Sequence, residues 1–205
     1  MKIILARHAQ TAWNRDNRIQ GQSDSDVTLA GMRQTQALVA ALAEADYLID
    51  AVYTSTLLRA ERTGRAIARH FDCPLMLDAD LNEQAFGQYE GLTFTQLNIQ
   101  HPNAVESLFR RDANFLPPGG ETLADAASRV MHAIHRLQKA HPHKTVCLVS
   151  HGHVCQAVLA LLVEKKIESF ARYAHPNGSY SLIDLDDRGD VAVRWGIATH
   201  LKRLG

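Results

Sequence analysis

Residues 145–149 read TVCLV, and this short run constrains the fold more than any other stretch of the chain. It is too uniformly apolar for a strand with one face in water, so we expect a strand that is buried on both faces. Similar short strands are predicted at residues 2–6, 50–54 and 74–77, and two closing strands at residues 180–185 and 191–195. A sheet of this kind needs helices on each side.

Helical periodicity fills the gaps between these strands. Thr28 is a predicted N-cap for a helix over 29–45, whose apolar face would contain Met32, Leu38, Val39 and Leu42. Further helices are predicted at 56–71, 121–141 and 154–163, the longest with an apolar stripe from Leu123 to Leu137. Alternating strands and helices are typical of an α/β fold with a mixed, mostly parallel sheet.

Residues 81–121 interrupt this regular pattern. Glycine and proline recur through the segment, which ends in PPGGE, and no long amphipathic period is visible. We therefore expect an excursion of loops and short helices that acts as a lid on a single domain spanning residues 1–205.

Charge and cysteine content narrow the functional classes. The 22 basic residues balance the 22 acidic ones and no long basic run occurs, so neither nucleic acid nor a membrane surface is an expected partner. Cys73, Cys147 and Cys155 have no paired spacing, and the apolar stretch after Lys2 stops at Arg7, unlike a secretory signal. These features favour reduced thiols and a cytoplasmic location.

Polar residues follow three of the predicted strands where each one ends. Arg7 and His8 follow the first strand, Arg59 lies just beyond the second, and His151 and Gly152 follow TVCLV. Because ligand sites in open α/β sheets form outside the carboxyl ends of the strands, we expect these side chains to meet at one edge.

This combination of residue types suits a phosphoryl group. Two guanidinium groups match phosphate oxygens, and their charge favours a neutral, nucleophilic histidine beside them. His8 could accept the phosphoryl group, while Arg59, the Asn14 amide and a protonated His151 stabilise it without a metal. Glu83, in LNEQAFG, is the candidate general acid, because repulsion from a bound phosphate favours a protonated carboxyl. Glu90 is its competitor.

Six motifs then point to a known family. LARHAQTAWN, IQGQSDSDVTLAG, YTSTLLRAERT, LNEQAFGQYEG, PPGGET and LVSHGHV resemble, in order, the histidine phosphatase superfamily in its phosphoglycerate-mutase-like branch. The resemblance implies a three-layer α/β/α fold, no cofactor, no metal and a phosphohistidine at His8. It places Arg7, Arg59 and His151 in the phosphate pocket and makes Glu83 the proton donor. It implies further substrate contacts from Asn14, Gln20, Gly21 and Gly152.

One departure from the family pattern lies beside the nucleophile. The family motif usually reads Arg-His-Gly, whereas this chain has Ala9 after His8. Alanine would be strained by about 1 kcal/mol if the position required a positive φ. A weakly active or regulatory phosphate-binding module is therefore one alternative.

Two further alternatives concern the chemistry. A metal hydrolase could use His8, His151 and His153, although carboxylate partners at metal spacing are missing. A phosphoglycerate mutase would use the same phosphohistidine, but Phe86 and Phe94 stand where cofactor-dependent mutases of the family carry a tyrosine and a lysine. Arg110 and Arg111 could reach a substrate carboxylate from the lid. We therefore expect a phosphomonoesterase for small phosphorylated metabolites, as a monomer or homodimer.

Overall fold

The computed structural model describes residues 1–186 and 191–204 of the chain. Within these residues, six strands form one sheet in the order β3-β2-β4-β1-β5-β6. The first four in this order pair in parallel, whereas β5 pairs antiparallel with β1 and with β6. The predicted mixed, mostly parallel sheet is confirmed. The strands are β1 (Lys2–Arg7), β2 (Ala51–Thr54), β3 (Leu75–Leu77), β4 (Thr145–Ser150), β5 (Tyr180–Leu185) and β6 (Val191–Ile197).

The central strand β4 shows why TVCLV is so apolar. It pairs with β1 on one side and β2 on the other, and Val146 to Val149 are fully buried. Successive side chains enter opposite cores, with Val146 and Leu148 in one cluster and Cys147 and Val149 in the other. Both faces of the sheet are therefore covered, as predicted.

The described residues also contain seven α-helices. Leu38 and Leu42 of α2 and Ile67 of α3 belong to the core on one face, whereas α6 and α7 supply much of the other. The helices are α1 (Ala12–Arg15), α2 (Leu29–Glu44), α3 (Leu58–Phe71), α4 (Phe94–Gln100), α5 (Ala104–Glu106), α6 (Leu123–Ala140) and α7 (Gly152–Glu164). Among the described residues, none of these helices has the length and apolar character needed to cross a bilayer.

The start of α2 confirms one prediction and corrects another. Thr28 is the N-cap, and its hydroxyl accepts from the Gly31 N–H at 2.9 Å. Gly31 faces the loop before α1, where an added Cβ would lie 2.2 Å from the Gln10 carbonyl oxygen. Met32, one residue on, is half exposed, so its prediction as part of the apolar face was wrong.

The predicted stripe on α6 is buried throughout. Leu123, Ala127, Val130, Ile134 and Leu137 each expose at most 3 % of their surface. They pack against α7 and the strands that α7 covers. Packing of this face fixes α6 against the sheet. The helix α6 also carries Arg129 and Arg136, which contact residues 80–83.

The irregular segment between β3 and α6 has a small core of its own. It contains α4, α5, three-residue 3₁₀ turns at Ala79–Leu81 and Gly87–Tyr89, and a π-helical turn at Ser107–Arg111. Phe86, Tyr89, Leu97 and Leu108 bury together with Ile19 from the loop after α1. Hydrophobic packing therefore joins the segment to the loop that carries Gln20 and Gly21.

Candidate active site

The carboxyl ends of three parallel strands meet at one edge of the sheet. Arg7, the last residue of β1, is in register with Ser150 at the end of β4. The His8 N–H donates to the Ser150 carbonyl at 3.0 Å, and the Ser55 N–H donates to the Val149 carbonyl at 3.1 Å. The backbone thereby places His8, Ser55 and His151 side by side.

A cavity of about 210 Å³ opens at this edge. Eight of the nine predicted site residues line it: Arg7, His8, Asn14, Gln20, Gly21, Arg59, Glu83 and Gly152. His151 lies fully buried behind His8, with the two ring centroids 5.1 Å apart. The structure therefore brings all nine together, although they come from six separate segments of the chain.

His8 is oriented by its own backbone neighbour. Its Nδ1 donates to the Ala9 carbonyl at 2.7 Å, because an oxygen acceptor requires the proton on that nitrogen. Burial, assisted by the charges of Arg59 and Arg7, lowers the pKa of His8 well below its ordinary value of 6.5. The ring is therefore neutral, and its Nε2 carries the free lone pair.

Arg59 is buried and Arg7 is partly buried, and both are anchored at their outer nitrogens. Arg7 Nη1 donates to the His175 carbonyl at 2.6 Å, and Arg59 binds the Ser23 carbonyl and Asp24 at 2.8 Å each. Burial lowers the pKa of both guanidinium groups, an effect that the nearby Glu83 carboxylate opposes. Within the described residues, the buried Nε atoms of both arginines have no hydrogen-bond partner.

His151 differs from its predicted protonation state. Burial and the charge of Arg59 lower its pKa well below the ordinary value, so the protonated ring expected from the sequence is neutral here. Its Nε2 lies 2.7 Å from Ser55 Oγ, which also accepts from the Leu57 N–H. When the buried Ser55 hydroxyl donates its hydrogen bond to Nε2, the neutral ring carries its proton on Nδ1.

Glu83 lies at the N-terminus of α7. Its two carboxylate oxygens accept from the N–H groups of Gln84, His153 and Val154 at 3.0–3.1 Å. The positive end of the helix and these donors hold the carboxylate at the cavity wall. Glu90, the alternative acid, instead accepts from the Gln22 and Ser23 N–H groups at 3.0 Å and stabilises their loop.

Asn14 and Gln20 are held through their amide oxygens. Asn14 Oδ1 accepts from the Thr11 hydroxyl and from Asn177 Nδ2, both at 3.1 Å, and Gln20 Oε1 accepts from the Ser25 hydroxyl at 3.1 Å. Both side chains line the cavity. With their oxygens engaged, the amide nitrogens are the donors that remain for a bound anion.

The two predicted site glycines permit close packing. A Cβ on Gly152 would lie 3.0 Å from Arg7 Cζ, so any larger residue would displace that guanidinium. Gly21 has φ +56°, and a Cβ there would lie 2.1 Å from Glu90 Oε1. Gly152 therefore leaves room for the Arg7 guanidinium. Gly21 helps to position Arg59, because its carbonyl accepts from Arg59 Nη2.

Ala9 is not strained. The described non-glycine residues with positive φ do not include it, and its methyl group is fully buried. Its N–H donates to the Thr63 hydroxyl at 3.3 Å, and its carbonyl orients His8. The backbone conformation at this position thus does not require the glycine of the family motif.

Sequence reasoning missed several residues of the cavity wall. Arg18, Ile19, Phe109 and Gln156 all line it. Gln156 follows Gly152 by one helical turn, a spacing that could have indicated it. No local signal pointed to Phe109, because its position depends on the packing of the irregular segment.

The lid arginines do not reach the cavity. Arg110 and Arg111 are both exposed, and Arg111 pairs with Glu106 at 2.6 Å. The idea that they contact substrate from the lid therefore has no support in this geometry. Phe86 and Phe94, in contrast, both line the cavity.

The described part of the chain contains no group of three or more His, Cys, Asp or Glu side chains arranged to hold a metal ion. His153, the third member of the alternative metal set, directs its Nδ1 to Gln84 Oε1 at 2.7 Å. It is also packed between the rings of Phe86 and Phe109.

Comparison with known proteins agrees with this geometry. The family model of the histidine phosphatase superfamily (branch 1) matches residues 3–198. A metal-independent phosphoserine phosphatase of Arabidopsis thaliana is 31 % identical over 206 residues, covering all of this chain and 84 % of the relative. A 2,3-bisphosphoglycerate-dependent phosphoglycerate mutase of Methylobacterium radiotolerans is 30 % identical over 165 residues, 78 % of each chain.

A solved structure extends the agreement to three dimensions. YhfR of Bacillus stearothermophilus superposes with a TM-score of 0.90 at 27 % identity, covering 98 % of both chains. The whole described architecture, and not only the motif segments, is thus shared. The chain belongs to the histidine phosphatase superfamily, branch 1.

Proposed function

We propose that this enzyme hydrolyses small phosphomonoesters through a phosphohistidine formed at Nε2 of His8. The observation that carries the proposal is the state of His8: a neutral ring, held through Nδ1 by the Ala9 carbonyl, beside the buried Arg59 and the partly buried Arg7. A neutral imidazole with one nitrogen tethered presents the other as a nucleophile.

In the first step, His8 Nε2 attacks phosphorus and the bond to the leaving oxygen breaks. Glu83, in its protonated form, gives its proton to that oxygen, so that an alcohol leaves. Arg7, Arg59 and the Asn14 amide donate to the phosphoryl oxygens, and His151 adds a neutral donor if Nδ1 carries its proton.

In the second step, water attacks phosphorus and the P–N bond breaks. The Glu83 carboxylate takes a proton from the water, and His8 returns to its neutral form as inorganic phosphate leaves. Glu83 thereby regains the proton it lost, and the net reaction converts phosphomonoester and water into alcohol and inorganic phosphate.

The cavity favours a small substrate. Its volume of about 210 Å³ lies below the usual range of roughly 300–1,000 Å³ for ligand pockets. Three phenylalanines and Ile19 line the part that would hold the alcohol, with residues 81–121 acting as the lid. The phosphoserine phosphatase relative supports hydrolysis of a small phosphorylated metabolite.

We also propose a reducing, cytoplasmic location for the enzyme. All three cysteines are free thiols, and Cys147 and Cys155 are buried in the core.

A phosphoglycerate mutase is the second candidate, because relatives of that name cover most of the chain. A mutase must shield its phosphohistidine from water and hold a second anionic group. Phe86 and Phe94, which stand where cofactor-dependent mutases carry a tyrosine and a lysine, line the cavity wall. Arg110 and Arg111 lie outside the cavity. These features favour the phosphatase.

The decisive test is the phosphoenzyme itself. We expect His8→Ala to abolish turnover and labelling by a ³²P-phosphomonoester, because the proposed step removes the phosphoryl group from the substrate by attack of His8 Nε2. The label on wild-type protein should survive an alkaline quench and disappear in acid, as a phosphoramidate does. His132→Ala, at an exposed position on α6, is the control. An acid-stable label, or an active His8→Ala protein, would contradict the proposal.

A further inference from the structure

Arg129 binds the backbone that leads into Glu83. Its Nη1 donates to the carbonyls of Asp80 and Asn82 at 2.8 and 2.7 Å, and its Nη2 donates to the Glu83 carbonyl at 2.9 Å. The guanidinium is largely buried, with 21 % of the side chain exposed. A single side chain thus binds three carbonyls within four residues.

Glu121 completes the contact from the other side. Its Oε1 pairs with Arg129 Nη2 at 2.8 Å and also accepts from the Ala85 N–H at 2.9 Å. The Glu121 carbonyl accepts from Gln84 Nε2 at 2.7 Å. The backbone is therefore held on both sides of Glu83, by a residue of α6 and by the segment just before it.

Glu83 needs this support because its own backbone has no regular structure. Residues 83–86 lie between two 3₁₀ turns, outside any helix or strand. Buried carbonyls in such a segment must find donors elsewhere. Only arginine offers five N–H groups in a rigid plane, which suits several carbonyls at once.

We propose that Arg129, together with Glu121, is a positioning residue that sets the location of the Glu83 carboxyl at the leaving oxygen. The inference rests on the proposed function, since it assigns Glu83 as the acid. Arg129 does not line the cavity, so it acts through Glu83 and not on the substrate. A shift of about 1 Å in a catalytic group can cost about 100-fold in rate.

The test compares Arg129→Met with Arg136→Met. Arg136 lies two turns further along α6 and pairs with the side chains of Asp78 and Asp80, not with backbone carbonyls. For an alkyl phosphate, Arg129→Met should lower kcat about 10- to 100-fold. For an aryl phosphate, whose leaving group needs less protonation, the loss should stay below about threefold. Arg136→Met should leave both rates near wild type.

A double variant separates positioning from a general effect. If Arg129 acts through Glu83, then Arg129→Met should change little more in a Glu83→Gln background. Equal losses for both substrates, additive losses in the double variant, or no loss at all would each overturn the proposal.

Arg129→Lys keeps the charge but loses the planar group of donors. This control matters because the Arg129 charge also acts on His151. We expect the lysine variant to show the same selective loss, and wild-type rates in it would overturn the positioning role. Should Arg129→Met lose its native circular dichroism spectrum, Arg129→Lys carries the test alone.

Wild-type labelling keeps the two hypotheses distinguishable. If the wild-type protein forms a phosphohistidine but Arg129→Met lowers the alkyl and aryl phosphate rates equally, only the positioning role is refuted. A wild-type protein that forms none would refute the proposed function, and the assignment of Arg129 with it.

Discussion

At the scale of single residues, the site depends on groups that are held in one orientation before substrate arrives. His8 and His151 are neutral because they are buried beside arginines, and Glu83 is bound by three N–H groups at a helix N-terminus. Each side chain is oriented by backbone or by a neighbouring hydroxyl. Little reorganisation is then needed when charge develops on the phosphoryl group.

Replacing Glu83 tests the acid role directly. We expect Glu83→Gln to slow turnover of alkyl phosphates by about two to four orders of magnitude, the usual contribution of general acid catalysis. Aryl phosphates should lose much less, because their leaving groups are better. Steady-state rates for the two substrate classes measure the difference.

Glu106→Gln is the matched control, since this carboxylate lies on the same irregular segment but pairs with exposed Arg111. Equal losses for both substrates would mean that Glu83 positions other groups and does not transfer a proton. An unchanged rate for both would remove Glu83 from the chemistry.

At the scale of elements, three strand ends deliver the phosphate-binding groups and the irregular segment delivers the wall. The strand ends are rigid, because β1, β2 and β4 are paired in the middle of the sheet. The wall is a small separate core built around Phe86 and Leu97. The strand-end groups proposed to bind phosphate and the apolar wall therefore lie on different elements, whereas the proposed acid Glu83 belongs to the irregular segment.

The composition of this wall decides between phosphatase and mutase. With Phe86 and Phe94 in place of polar residues, we expect 3-phosphoglycerate, if it is accepted at all, to yield inorganic phosphate and glycerate. Phosphorus NMR of the reaction distinguishes the two outcomes. Formation of 2-phosphoglycerate faster than free phosphate would overturn the phosphatase assignment.

At the scale of the whole molecule, buried neutral histidines link stability to pH. Burial lowers the pKa of His153 to about 3 and that of His175 to about 4, and His8 and His151 are lowered as well. The unfolded chain therefore binds more protons than the folded one below about pH 6.5. Stability is fully present above this pH and is lost as the pH falls.

We expect the free energy of unfolding to decrease from pH 6.5 towards pH 4, with each such histidine contributing up to about 1.4 kcal/mol per pH unit. Urea denaturation at a series of pH values measures the slope. His175→Asn should reduce it and the exposed His132→Asn should not. A free energy that stays constant between pH 7.5 and 5 would contradict the burial argument.

The electrostatics of the whole site also predict independence from metal ions. Arg7 and Arg59 supply the positive charge that phosphoryl transfer needs. We expect full activity after exhaustive chelation, and inhibition by vanadate, which resembles the phosphoryl group in its transition state. Activity lost in chelator and restored by a divalent ion would instead support a metal hydrolase.

The amino-acid sequence by itself determined the architecture and indicated which side chains meet at the strand ends. Strand and helix positions follow from local periodicity, and six strands were located to within about two residues. The meeting of Arg7, Arg59 and His151 followed from the rule that sites form at the carboxyl ends of parallel strands. Both inferences need only near neighbours in the chain and a general rule of topology.

Only the tertiary structure decided the protonation state of His151, the place of Phe109 in the wall and the contacts of Arg129. Each depends on burial and on groups distant in sequence: Ser55 lies against His151, and Arg129 reaches carbonyls more than 45 residues away. Desolvation and hydrogen-bond partners are properties of the packed molecule. No periodicity along the chain records them, and for that reason the sequence indicated the candidate residues at the strand ends but neither their protonation states nor the groups packed around them.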